Sequence, residues 1–223
     1  MATITKLREH PRKPGRFELE LDAATTLTIS LELIADLKLK VGRVLDEAEQ
    51  RRLESSAQGI ACYDKALATL GARARSEADL RRYLRTKEFT DEQITPAIER
   101  LTALGLLDDV AYARTFARAR LAPSRGFGPR RVAAELARKG VARDIAERVL
   151  GEMALELEEQ ADDAAARGET LRSAVEVAAA KKLRSLQGLE PAVQQRRLYG
   201  FLARRGFSGA EIGTALRMLK HRD

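Results

Sequence analysis

Three stretches of this chain superimpose when written one beneath another: LRTKEFTDEQITPAI (84–98), LARKGVARDIAERVL (136–150) and LARRGFSGAEIGTAL (202–216). Leu80, Val132 and Leu198 stand four residues ahead of Leu84, Leu136 and Leu202, so each pair shares one helical face. Phe89, Val141 and Phe207 follow five residues further on, after a turn. Ile94, Ile145 and Ile212 then open a second helix, continued by Ile98, Val149 and Leu216. The middle copy is one residue shorter at its turn.

The turns carry their own chemistry. Gly140 and Gly206 stand where a helix ends with positive φ, and Glu88 takes that place in the first copy, where a side chain strains the turn or changes its geometry. Thr90 with Gln93, and Ser208 with Glu211, have capping-box spacing, and Pro129 suits a first helical turn. A further helix precedes each pair, in CYDKALATL, DDVAYARTFARARL and SAVEVAAAKKLRSL. The unit is therefore three helices, present three times. None of these short amphipathic helices buries its apolar stripe alone, and repetition of this kind implies a stacked, elongated array.

Ahead of the repeats the pattern changes. Segments 4–7, 16–21 and 27–31 alternate or are β-branched, as in FELEL and TLTISL, with breaks at Pro14-Gly15 and at 22–24. A three-stranded antiparallel sheet is the simplest product. Ser30 caps a short helix through Asp36, and a charged helix begins near Asp46 after a turn at Gly42. The resulting division is a β-rich subdomain over 1–45, a connecting helix over 46–60, and repeats over 61–107, 108–151 and 152–223. The 152–223 segment opens with an acidic insertion in which Glu152 to Asp163 has six acids and no base; it reads as a long solvated helix, or as an arm meeting a basic partner or the chain's own basic face.

Only 4% of the 223 residues are aromatic and none is Trp, which suits small helical units better than one large core. Residues 1–60 balance 10 basic against 10 acidic side chains, so the whole formal charge of +7 falls after residue 60. That excess points to an anionic partner. The lone Cys62 reads as a buried apolar residue, and it fits a reducing compartment. No apolar run approaches a membrane span and no signal-peptide core opens the chain, so a soluble cytoplasmic protein is expected.

Enzyme readings find no support. Two histidines, His10 and His221, and one cysteine make no His/Cys metal constellation. Gly126-Phe127-Gly128 follows no strand and is no dinucleotide fingerprint. Asp108 and Asp109 read as helix caps rather than paired catalytic carboxylates. No cofactor, metal or catalytic residue is expected.

The terminal FLARRGFSGAEIGTAL, the middle GLLDDVAYARTFARAR with RGFGPRRVAAELARKGV, and ALATLGARARSEADLRRYLRTKEF, in this order and spacing, resemble the RecX family of recombinase regulators. ITKLREHPRKPGRFELELD is similar to the β-containing extension of its longer members. The resemblance covers essentially the whole chain. It implies a mainly α fold of three tandem three-helix repeats in a right-handed, elongated curved array after a small N-terminal sheet. It also implies a protein, expected to act as a monomer, that binds RecA in the groove or at the end of its DNA filament. Such a protein mainly inhibits, limiting filament growth, ATPase, strand exchange and SOS coprotease activity.

Basic residues recur at matching positions. Lys87, Lys139 and Arg205 precede the turn glycine or its substitute, with Arg138 and Arg204 before the last two. Arg81, Arg82 and Arg85, then Arg130 and Arg131, then Arg196 and Arg197 stand upstream, and Arg125 lies in RGFGPRR. Two readings stay open: complements to helix C-termini, or one basic face toward acidic RecA surfaces or nonspecific DNA phosphate. Phe89 and Phe207 read as packing residues, and Phe127 as packing or base-stacking. The alternative function is a nonspecific or helix-turn-helix-like DNA-binding protein, although GAEIGTALRML offers few side chains to read bases.

Overall fold

The computed structural model describes residues 1–22, 24–167 and 172–220; His221 and the side chain of Leu219 lie outside the described residues. The chain forms two compact units, one of residues 1–75 with 79–107, the other of residues 76–78 with 108–223.

In the first unit, β1 (Ala2–Glu9), β2 (Arg16–Leu21), β3 (Thr25–Ser30) and β4 (Val44–Leu45) make an antiparallel sheet in the order β3-β2-β1-β4. The expected three strands are thus four. The addition is two residues long and pairs Leu45 with Ala2 and Val44 with Thr3. The alternation of β2 works as read: Leu19 and Leu21 are buried while Glu18 and Glu20 face outward. Ser30 Oγ accepts from Leu33 N–H to start α1 (Leu31–Asp36). Asp46 and Glu49 close a capping box at the head of α2 (Glu47–Ala72).

That helix corrects the reading of the 46–60 segment. The stretch expected to connect and the first helix of the first repeat are one element of 26 residues. Its first half buries Leu53 and Ala57 against the sheet with Ile4, Leu19, Ile29 and Leu45. Its second half buries Cys62 and Ala66 with Leu80 and Leu84 of α3 (Glu77–Arg85) and Ile94, Ile98 and Leu101 of α4 (Asp91–Ala103). Leu67 is 40% exposed because Ala66 and Thr69 hold the inward face. Burial pushes the Cys62 thiol up to about 11, which leaves it inert at neutral pH.

The second unit holds α5 (Asp109–Leu121), α6 (Pro129–Arg138) and α7 (Arg143–Ala166), then α8 (Ala174–Arg184), α9 (Pro191–Arg204) and α10 (Gly209–Lys220). Each triplet has its own core: Ala113, Val132, Leu136, Val141 and Val149 in one, Ala179, Leu198, Leu202, Phe207 and Ile212 in the other. In the shorter middle copy Ala146 takes the buried place expected of Ile145, which is only partly covered. The acidic stretch prolongs α7, and Arg114 of α5 bonds both Glu152 and Glu156 on it.

All three repeat turns close alike. The N–H of Phe89, Val141 and Phe207 donates to the carbonyl of Leu84, Leu136 and Leu202, and the residue before each donates to Arg85, Ala137 and Ala203. This is the paired bonding of a Schellman turn, with Glu88, Gly140 and Gly206 at φ 65°, 81° and 90°. Phe207 is buried and Phe89 packs on the first repeat's core, as their spacing requires.

Candidate functional site

The turn after α9 meets the start of α6 and the loop before it. Gly128 N–H donates to the Arg205 carbonyl at 2.7 Å, and Arg130 N–H to the Gly206 carbonyl at 3.2 Å. The free amides that open α6 are thereby capped by the free carbonyls that end α9, and two helix dipoles meet head to tail. Only glycine permits this approach. A Cβ on Gly128 would lie 2.4 Å from the Gly206 backbone, and one on Gly206 2.4 Å from Arg131 N. The turn after α6 is met in a related way: Ser76, fully buried, donates through Oγ to the Lys139 carbonyl, and Glu77 N–H donates to Asp109. Desolvation raises the Asp109 carboxyl above the usual range, the bond from Glu77 N–H opposes that, and the charges of Glu77 and Asp108 add to it. Asp108 caps α5 by accepting from Val110 and Ala111.

Arg205 is built into this joint. Its Nη1 donates to the carbonyls of Arg125 and Gly126 at 2.7 and 2.9 Å, and its guanidinium lies 4.7 Å over the Phe201 ring. Phe127 is half-buried and ringed by three guanidinium groups, those of Arg131, Arg205 and Arg120 at 4.2, 5.5 and 5.9 Å. Of its two readings, the packing one fits this environment.

The remaining basic positions differ by repeat. In the first, Arg82 pairs with Asp79, Arg85 with Asp91, and Arg81 bonds the Thr95 hydroxyl, while Lys87 stands 5.7 Å over Tyr83. In the second, Glu135 gathers Arg120, Arg131 and Arg138 within 4.0 Å. The third repeat has Phe201 at the place of Glu135. Among the described residues, Arg125, Arg130, Arg196, Arg197 and Arg204 have no ion-pair partner, and all five are exposed. Arg197 and Arg204 are two turns apart on one face of α9, and between them Gly200 leaves the Arg204 guanidinium room at 3.4 Å. Residues 172–220 hold ten Lys and Arg against three Glu, an excess equal to the charge of the whole chain. Two of the three, Glu176 and Glu211, are occupied in capping boxes with Ser173 and Ser208.

Family models of three successive three-helix domains match in order, the first over residues 62–101, the second over 108–150 and the third over 173–216. Each is a RecX domain. The chain belongs to the RecX family. A regulatory protein RecX from Pelodictyon phaeoclathratiforme is 37% identical over 69% of this chain and 86% of its own length. Another, from Clostridium botulinum, is 30% identical over 93% of this chain and 91% of its own. Among solved structures, a regulatory protein RecX covers 97% of this chain at TM-score 0.76 and 21% identity. RecX from Lactobacillus salivarius covers 73% at 0.62 and 22%. The last two likenesses concern the fold alone.

As a RecX-family protein the chain is regulatory, and its basic excess lies in two stretches, eight over residues 110–143 and seven over residues 172–220. The basic positions at the repeat turns do not form one class. Arg205 ties a loop, Arg131 and Arg138 share Glu135, and Arg196, Arg197 and Arg204 face solvent with their charge uncompensated. Lys181 and Lys182, in the last turn of α8, come together with Arg125 and Arg205, and the turn-centred reading of the sequence passed them over. The contrast between ten bases and three acids over 172–220 is the signal that finds them. Among the described residues no helix is long and apolar enough to cross a membrane, and no group of three or more His, Cys, Asp or Glu is placed to hold a metal ion.

Proposed function

We propose that this RecX-family chain regulates RecA, mainly as an inhibitor, by binding in the groove or at the end of the RecA–DNA filament. There it limits filament growth, ATPase, strand exchange and SOS coprotease activity. The observation that carries the reading is the set of exposed arginines that have no ion-pair partner among the described residues, Arg196, Arg197 and Arg204 of α9 and Arg125 of the α5–α6 loop, in two strongly basic stretches of the chain. Such a surface suits acidic protein side chains or phosphate, which guanidinium groups meet with two bonds at once. Several modest contacts along tandem repeats add through avidity.

A second reading, direct nonspecific DNA binding, draws on the same arginines. The helix-turn-helix form of it draws less support, because α10 spends Ile212 and Ala215 on the core and its Arg217 bonds Thr214. RecA ATPase on single-stranded DNA, measured while this protein is titrated with DNA in excess, separates the two. Inhibition at well below one molecule per RecA is expected. Inhibition that disappears whenever DNA is abundant would instead mark competition for DNA and overturn the filament reading.

A further inference from the structure

The second unit holds a cavity of about 470 Å³ whose wall is built by the α5–α6 loop, α8 and α9. Its charged lining is entirely basic, Arg125, Lys181, Lys182 and Arg205, joined by the hydroxyls of Ser124 and Ser185. Like charges brought together around a cavity repel, and a bound anion relieves that cost. The cavity is also held in shape. Gly126, at φ 60°, lets the loop approach so closely that a Cβ there would lie 3.0 Å from Arg205 Nη1 and 3.1 Å from Ala178 Cβ. Arg205 is fixed by two loop carbonyls, and Phe201 carries the Arg205 and Lys182 cations on its ring at 4.7 and 5.5 Å. Cations immobilised before binding lose little entropy on binding.

We propose that this cavity binds the polyphosphate of a free nucleotide. Four cations exceed what one carboxylate or one phosphodiester neutralises, and the volume falls in the range of small-ligand sites. Hydroxyls beside guanidinium and ammonium groups are the usual partners of phosphate oxygens. The inference stands apart from the RecA reading, and its test contains no RecA.

Isothermal titration of the full chain at physiological ionic strength is run with pyrophosphate, ATP, adenosine, a short oligothymidylate and a glutamate-rich peptide. Arg205 also holds the loop, so the variant is Lys181→Ala with Lys182→Ala, and Arg196→Ala with Arg197→Ala is the control outside the cavity. Binding of pyrophosphate and ATP but not adenosine, weakened about tenfold or more in the lysine variant and less than about threefold in the control, is the expected result. Oligothymidylate alone, with the same variant pattern, would assign the cavity to direct strand binding and overturn the nucleotide proposal. Equal losses in both variants, preference for the glutamate peptide, or no binding of any phosphate probe would overturn the proposal. Unchanged helical circular dichroism in both variants shows that folding is not what was lost.

Discussion

Glu88 occupies a place its two counterparts give to glycine. At φ 65° its Cβ crowds the following carbonyl, a conformation that costs a non-glycine residue about 1–2 kcal/mol. Glycine gives back part of that through the entropy of the unfolded chain. Glu88→Gly is therefore expected to stabilise the first unit by about 1 kcal/mol, read as a raised urea midpoint; an unchanged or lowered midpoint would show the turn to be relaxed as it stands. Asp109 is a strain of another kind. Its carboxyl is raised chiefly by desolvation, so between its unfolded and folded values the native state binds more protons than the unfolded one. Stability then falls as pH climbs through that window and stays lower above it. Asp109→Asn keeps an acceptor for Glu77 N–H without the partly buried charge. It should be more stable than the parent at neutral pH, with the advantage gone below the ordinary aspartate range; a variant weaker at neutral pH would contradict this. Both residues are visible in the sequence. The positive φ was legible because glycine marks the other copies, whereas Asp109 was legible only as a cap, since its partner Glu77 lies 32 residues away and outside any local pattern.

At the level of elements, the repeat turns were readable because Schellman closure and capping boxes need particular residues at fixed offsets. The fourth strand was not, since two residues cannot show a period. The extent of α2 was obscured for a different reason. Its inward face changes partner midway, from sheet to helices, and the apolar pattern breaks where the helix does not. The joint between α6 and α9 is likewise silent in sequence, because glycine at 128 and 206 announces a turn and not the backbone contact that each admits. That contact can be weighed. Gly188 has φ 85° with nothing within 4 Å of a added Cβ, so Gly188→Ala costs only the backbone strain, about 1 kcal/mol. Gly206→Ala adds a collision with Arg131 and should cost about 3 kcal/mol or more. Equal losses in thermal unfolding would mean that the α6–α9 joint yields freely.

For the molecule as a whole, charge is the property that sorts the parts. The segment before residue 61 is balanced, residues 110–143 carry an excess of eight, and residues 172–220 carry one of seven. Position alone, as read from the sequence, treated the basic residues of all three repeats alike; the ion pairs divide them, because Asp79 answers Arg82 and Glu135 answers Arg131 and Arg138, while among the described residues no carboxylate answers Arg196, Arg197 and Arg204 of α9 or Arg125 and Arg130 of the second repeat. Reversing Arg196, Arg197 and Arg204 to Glu should thus weaken RecA inhibition about tenfold or more and flatten its salt dependence, with helicity retained. Reversing Arg82, Arg85 and Arg138 should cost several times less, and equal losses would make the charge sorting irrelevant to function. The 26-residue α2 has a different consequence, one of phase. Leu53 and Ala57 are set for one core and Cys62 and Ala66 for another, with four residues between the two sets. Each residue inserted there turns one core about 100° against the other. An insertion of whole turns keeps both cores in phase, but a single-residue insertion between Ala57 and Cys62 dephases them against each other.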